Sequence, residues 1–360
     1  MSLLVSAGEA SGDRLAASAL ASLGGGGFGM GGEGVRGAGA EVLVDARDVA
    51  ANGVVDVLSR APALLRAWRT LSEALVARRP TAALIVDFPD FHRHLARRAR
   101  SLGARVVWCV APQVWAWRPS RVRAFAPWMS RLAVLFEHEL GVWRRAGVDA
   151  VWVGHPAAER AIPPRASRPR PVVALLPGSR RGVVRAHLGL HREVATLLAR
   201  RGVDCVFLCS PSLPDDVARE IARAARDVGA QTRRCPPEGA SPLLSLCDAA
   251  LTTAGTASLE VALSGAPFVV AHRVGAVEAA IARRSLITRW VGLPNVLLDR
   301  EVGRELLQEA ASPGAVADAL CRALERRDGG AVADELRARV TPADGACFGA
   351  RVASLVEACL

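Results

Sequence analysis

The sequence predicts an α/β protein with two parallel sheets, each covered by helices, and three observations carry that expectation. Short apolar runs alternate with helix-length stretches from residue 3 to residue 136, the pattern of strands joined by crossover helices. Several of these runs, such as ALIV at 83–86, lack polar alternation, as strands do when both faces of their sheet are buried. The same alternation restarts at residue 172, after PPRASRPRP at 163–171. Four prolines and three arginines in nine positions fit neither a helix interior nor a central strand, so this stretch reads as a stiff hinge.

Element by element, the first half offers strands at 3–7, 41–45, 83–87, 105–110 and 132–136, with helices at 11–23, 60–79 and 91–102. The glycine run at 24–27 is a loop. The second half offers strands at 172–176, 205–209, 249–252 and 268–271. Helices are expected near 181–201, 215–228, 257–264 and 275–285. The tail from 313 to 360 reads as mostly helical, broken at Gly329-Gly330 and Pro342.

At 360 residues and 51% hydrophobic content the chain can bury a large core without disulfides or structural metal, and bulk disorder is excluded. No apolar run approaches the ~20 residues of a membrane span, and the first residues lack the basic flank of a secretory signal. The eight cysteines form no C-x-x-C pair and read as reduced core residues of a cytoplasmic protein. The net charge is +11, carried by arginine alone, for there is no lysine. That rules out P-loop and Schiff-base lysine chemistry and favours an anionic partner: nucleic acid, anionic lipid or a phosphorylated substrate. With 4% aromatic residues a base-stacking platform is poorly supplied.

Ligands of doubly wound sheets bind at the carboxyl ends of strands, and the polar, glycine-bearing segments fall there. AGEASGD at 7–13 follows the first strand, with Gly8 and Gly12 for a tight turn and Ser11 or Asp13 as helix caps. It reads either as a well-capped turn or as a loop facing an anionic or hydroxylated ligand. In IVDFPDFH at 85–92, Asp90 reads as a helix N-cap, whereas Asp87 ends an apolar strand. A carboxylate there is costly unless paired or working, and a general base toward a hydroxyl is the working role. APQVWAWRPSR at 111–121 interleaves Trp115 and Trp117 with Gln113, Arg118 and Arg121, a binding loop or a pair of core tryptophans. LLPGSR at 175–180 ends a strand with Gly178, Ser179 and Arg180. TTAGTASLE at 252–260 ends another, so that Gly255 and Thr256 open a helix and Glu260 lies one turn on. Two such helix starts suit a nucleoside diphosphate, with Glu260 either a favourable first-turn acid or a ribose ligand. Asn295 in GLPNVL is a turn residue on local grounds.

Metal is disfavoured: His187 and His191 share a helix face without a third ligand, and no Asp-x-Asp clamp occurs. In the stretch 60–79, Leu64, Leu65, Trp68, Leu71 and Leu75 follow helical spacing among arginines. This is either a core-facing helix or one lying on an anionic membrane surface.

Taken together and in this order, these segments resemble the lipid-A-disaccharide synthase family, bacterial inverting glycosyltransferases of the GT-B type. GMGGEGVRGAG at 29–39, NGVVDVLSR at 52–60, VGHP at 153–156 and GLPNVLL at 292–298 extend the match over nearly the whole chain. The resemblance implies two Rossmann-like domains facing a cleft: an acceptor domain at 1–162 and a UDP-sugar domain at 172–342, joined by the hinge 163–171. A helix within 343–360 is expected to cross back to the first domain. It implies transfer of 2,3-diacylglucosamine from its UDP conjugate to 2,3-diacylglucosamine 1-phosphate, giving a β-1,6 disaccharide and UDP without metal or other cofactor. On this pattern Asp87 and Arg180 are catalytic. Gly178, Ser179, Gly255, Thr256, Glu260 and Asn295 join Arg180 on the donor. Gly8, Glu9, Ser11, Gly12, Asp13, Gln113 and Arg118 face the acceptor or the sugar. Leu64, Leu65, Trp68 and Leu71 face the inner leaflet of the inner membrane, where a peripheral cytoplasmic enzyme meets its acylated substrates; nucleic acid is not a partner.

Two departures from the family pattern lie in the donor half: Val183 stands in place of a glutamate, and 271–284 is poor in bulky rings, with His272 for a tyrosine. The rival readings are another UDP-sugar enzyme on the same plan, a murein-type transferase or an epimerase, and a non-enzymatic basic nucleotide- or nucleic-acid-binding protein.

Overall fold

A computed structural model of the chain describes residues 2–49, 54–115, 119–160, 162, 168–236, 239–275 and 288–360, with the helical backbone alone for 54–60. Most of the expected hinge (163–167) and of the helix at 275–285 lies outside the described residues, as do Trp117 and Arg118. The chain forms two compact units, residues 1–156 with 340–360, and residues 157–339.

The first unit is a seven-stranded sheet: β1 (Leu3–Ala7), β2 (Phe28–Gly31), β3 (Glu41–Asp45), β4 (Ala82–Val86), β5 (Arg105–Cys109), β6 (Arg131–Val134) and β7 (Ala150–Trp152). Their order is β3-β2-β1-β4-β5-β6-β7, every pair parallel. β1 and β4 are buried along their whole length, which is why both read as largely apolar runs, broken in β1 by Ser6 alone. β2, with sequence FGMG, gives no such signal. It exists because Gly29, at φ 149°, passes so close to the Val5 carbonyl that any Cβ would collide with it.

The second unit repeats the plan with β8 (Val172–Leu176), β9 (Asp204–Cys209), β10 (Gln231–Arg234), β11 (Ala249–Thr252), β12 (Phe268–His272) and β13 (Arg304–Leu307). The order is β10-β9-β8-β11-β12-β13, again all parallel. Edge strand β10 reads QTRR and is largely exposed; charged side chains on an edge discourage further pairing, and they also erase the hydrophobic signal. In each sheet the chain runs outward one way, returns to the middle and runs out the other way, so β1/β4 and β8/β11 are the switch points at which such sheets bind ligands.

The tail consists of helices Pro313–Glu325, Gly329–Val340 and Phe348–Glu357. Gly329 thus opens a helix; the break falls just before it. Helix Phe348–Glu357 packs on helix Ala10–Ser22, and any Cβ on Gly349 would meet Ser18 O at 2.5 Å. Buried Arg351 fastens the connection: it donates to Val153 O at 2.9 Å, to Asp344 at 2.6 Å and to Pro342 O at 3.3 Å. The His155 amide adds a bond to Val340 O at 2.8 Å.

Candidate active site

At the first switch point the segments 7–13 and 85–92 are packed together. A Cβ on Gly8 would collide with the Phe88 ring, and one on Gly12 would lie 3.5 Å from Val86 O. Glycine is needed at position 8, where the two loops share one edge, while position 12 is in ordinary van der Waals contact with β4. Asp87 and Phe88 follow β4 with φ 50° each, two left-handed non-glycine residues in succession, a strain that persists only where the surroundings enforce it. The enforcing residue is His92. Its Nδ1 lies 2.6 Å from Asp87 O and its Nε2 2.8 Å from Ser6 Oγ. A carbonyl only accepts, so Nδ1 carries the proton; burial pushes the imidazole down to about 4, so Nε2 is bare and Ser6 donates to it. The neutral ring pins the backbone that aims Asp87. Asp87 is half-buried, and its charge, after burial, helps push the Cys109 thiol up to about 12.

Two capping expectations are corrected here. Helix Pro89–Ser101 has Phe88 at its N-cap, and Asp90, one residue inside, pairs with Arg121. Asp13 does not cap its own helix, which starts at Ala10. Its carboxylate accepts amides of Gly32, Gly34 and Val35 at 2.6, 2.8 and 3.1 Å, capping helix Glu33–Gly37 instead. With three amides bound and 7% exposure, Asp13 holds the site's wall; the expectation that it faces acceptor or sugar is withdrawn. Glu9 is half-buried, and Ser11 and Gln113 are exposed.

The loop after β5 is anchored by a residue that sequence reasoning missed. Trp115 donates its indole N–H to Glu139 Oε1 at 3.1 Å, and the Phe136 amide donates to Oε2 at 3.1 Å. Burial drives the Glu139 carboxyl up to about 7, against the lowering effect of the Phe136, Trp115 and Leu135 hydrogen bonds. The folded chain therefore keeps this proton to a higher pH than the unfolded chain does, so the stabilisation is present below about pH 4.5 and is lost as pH rises through 7. Relative to Glu139→Gln, the wild type is expected to lose about 3 kcal/mol of unfolding free energy between these limits. Urea unfolding of both proteins across that range measures it; a pH-independent difference would refute it.

At the second switch point, Leu176 and Thr252 are register partners at the ends of β8 and β11. Gly178, at φ 127°, makes room for Val183, whose Cγ1 would lie 2.6 Å from any Cβ there. Ser179 and Arg180 are exposed, and Arg180 takes the N-cap position of helix Arg181–Arg200 without a side-chain cap. Gly255, at φ 130°, does the same for helix Thr256–Leu263, and both Gly255 and Thr256 are exposed. Two helix starts with exposed N-cap residues, Arg180 and Gly255, thus follow neighbouring strands, an arrangement that favours anions.

Glu260 lies in the second turn of helix Thr256–Leu263, its Oε1 3.0 Å from Arg160 Nη1 and its Oε2 accepting the Ala240 amide at 3.2 Å. Arg160 carries no sequence signal of its own. Asn295 overturns its donor-contact expectation. It is fully buried; Nδ2 donates to Gly303 O and Glu305 Oε1 at 2.7 and 2.8 Å, and Oδ1 accepts the Val302 and Gly303 amides. Glu305 in turn accepts the Val291 and Gly292 amides at the start of helix Leu293–Leu298. All four hydrogen-bonding positions of the Asn295 amide are filled, so it locks a turn rather than touching a ligand.

His187 and His191 donate Nδ1–H to Val183 O and His187 O, at 2.7 and 2.9 Å, and His187 Nε2 accepts the Arg273 amide at 2.9 Å. His272 stacks on His187 with centroids 5.0 Å apart. Among the described residues no group of three or more acidic, histidine or cysteine side chains is disposed to hold a metal.

Helix Val54–Arg78 divides the apolar residues expected to face a membrane. Leu71 is fully buried and Leu64 packs against the core, whereas Leu65 is 59% and Trp68 38% exposed. Core burial of a leucine is worth about 2 kcal/mol, which removes Leu71 from any outward role.

A family model described as lipid-A-disaccharide synthetase matches residues 3–341. The lipid-A-disaccharide synthase of Geobacter sulfurreducens is 35% identical over 311 residues, covering 83% of this chain and 80% of that protein. That of Myxococcus xanthus is 36% identical over 338 residues, covering 89% and 87%. Among solved structures, MurG from Acinetobacter baumannii shares the fold, with a TM-score of 0.55 at 15% identity over 99% of each chain. The fold alone is common to different transferases; the sequence matches are what separate them. With both switch-point loop pairs falling inside the matched span, the chain belongs to the lipid-A-disaccharide synthetase family, glycosyltransferases of lipid A biosynthesis.

Proposed function

We propose that this chain transfers 2,3-diacylglucosamine from its UDP conjugate to the 6-hydroxyl of 2,3-diacylglucosamine 1-phosphate. The O6–C1 bond forms as the C1–phosphate oxygen bond breaks, with inversion at C1. The O6 proton goes to Asp87, and UDP leaves with the electron pair. The observation that carries this reading is the Asp87 turn, a carboxylate held in a strained conformation by a buried neutral histidine at a switch point. In the second unit, Arg180 and the amides at Gly255–Thr256 take up the charge that develops on the diphosphate. Glu260 accepts from the ribose hydroxyls, and residues 8–12 with Gln113 and Arg118 bind the acceptor sugar. The test is UDP release from the purified donor. Release is expected only when the phosphorylated acceptor is also present, and at an unchanged rate in excess chelator; release without acceptor would overturn the reading.

Acylated substrates bring the enzyme to the cytoplasmic face of the inner membrane. Leu65 and Trp68, flanked by exposed Arg66 and Arg69, suit the boundary between headgroups and acyl chains of anionic lipid. No helix among the described residues is long and apolar enough to cross a membrane. Co-sedimentation with phosphatidylglycerol vesicles is expected to fall about tenfold or more in a Leu65→Glu/Trp68→Glu variant; unchanged partition would exclude this face.

A further inference from the structure

We infer that Arg160 is a positioning residue for the donor: it fixes the Glu260 carboxylate in the orientation that receives the ribose hydroxyls. The inference rests on the reading of Glu260 as the ribose contact and adds a residue that neither the family match nor the sequence motifs assign. Arg160 follows the short 3-10 turn Pro156–Glu159, 100 positions from Glu260 in sequence, yet its Nη1 lies 3.0 Å from Glu260 Oε1. Both side chains are well covered, with 22% and 14% of their surface exposed. Nη1 itself is buried and makes no hydrogen bond of normal geometry, so the contact is one of charge, approached off the N–H direction. The other carboxylate oxygen accepts the Ala240 amide at 3.2 Å. Gly239 closes the third side: at φ 119°, a Cβ there would lie 2.7 Å from Arg160 Nη1 and 2.8 Å from Glu260 Oε2. The backbone approaches this closely only because the residue is glycine.

A carboxylate on a flexible side chain loses rotamer entropy when it binds a ligand, and one already held does not. The Ala240 amide occupies a lone-pair site on one Glu260 oxygen and the Arg160 charge lies against the other, while a carboxylate offers about four such sites in all. A vicinal diol needs two of them. Arginine suits this role because its planar head keeps its charge in a partly dry setting.

The experiment compares equilibrium binding of UDP with that of 2′,3′-dideoxy-UDP to the full-length protein. Wild type is expected to prefer UDP by about tenfold or more, the order of hydrogen bonds to a charged group. Glu260→Gln and Arg160→Ala are each expected to erase most of that preference while changing dideoxy-UDP affinity less than about twofold. Arg160→Lys is expected to restore part of it. Arg160→Gln serves if the alanine variant folds poorly, and a melting curve on each variant checks this. If Glu260→Gln erases the preference and the Arg160 variants keep it, or if they weaken both ligands equally, the positioning role is overturned while the ribose contact stands. If Glu260→Gln keeps the preference, the ribose contact falls and the role of Arg160 falls with it.

Discussion

Asp87→Asn is expected to lower kcat by about 10³–10⁴-fold while leaving the melting temperature essentially unchanged. Asparagine adopts the left-handed region at least as readily as aspartate, so the φ 50° turn is retained. The backbone carbonyl that receives the His92 Nδ1–H at 2.6 Å is also unaltered. What the amide cannot do is take the proton of the attacking hydroxyl. The loss should therefore appear in kcat, with KM for either substrate changed only a few-fold, since ground-state contacts persist. A steady-state assay of UDP release gives the result; a variant within tenfold of wild type would remove Asp87 from the chemistry. Alanine is the poorer probe, because it also strains the turn.

Arg180→Ala is expected to cost about 10²–10³-fold in kcat/KM, the usual loss when one preorganised donor to developing charge is removed. Arg180 stands exposed at the start of a 20-residue helix beside the end of β8. The diphosphate carries more charge as the glycosidic bond breaks than in the bound donor, so kcat should suffer more than donor KM. Arg180→Lys should recover only part of the rate, because an ammonium cannot present two parallel N–H groups to two phosphate oxygens. Equal loss in binding of donor and of free uridine would point instead to a structural role.

Much of this site was legible in the chain before any fold was known. β1, β4, β8 and β11 are buried along all or nearly all of their length, and largely apolar runs mark all four. Because ligands collect at the carboxyl ends of such strands, the loops bearing Gly8, Asp87, Arg180 and Gly255 could be picked out directly. The strands that went unread are β2, β7, β10 and β13. Each is short, glycine-bearing or polar, and each exists because a neighbour offers it a hydrogen-bonding edge.

The roles of individual side chains were less legible. Asp13, Glu260 and Asn295 all look like ligand contacts in their motifs, and Leu71 like a membrane contact. Asp13 caps a helix about twenty positions away, and Asn295 is enclosed by Val302, Gly303 and Glu305. Leu71 belongs to the core. The role of His92 has no local signature, because its partners are the Asp87 carbonyl and the distant Ser6 hydroxyl.

Sequence alone determined which reaction family the chain serves, where its central strands lie and which loops follow them, since periodicity and motif order are local properties of the chain. Tertiary structure decided which polar groups in those loops are already engaged by distant amides, carbonyls and guanidinium groups. A side chain's availability depends on partners that folding brings near, and no local pattern records those partners.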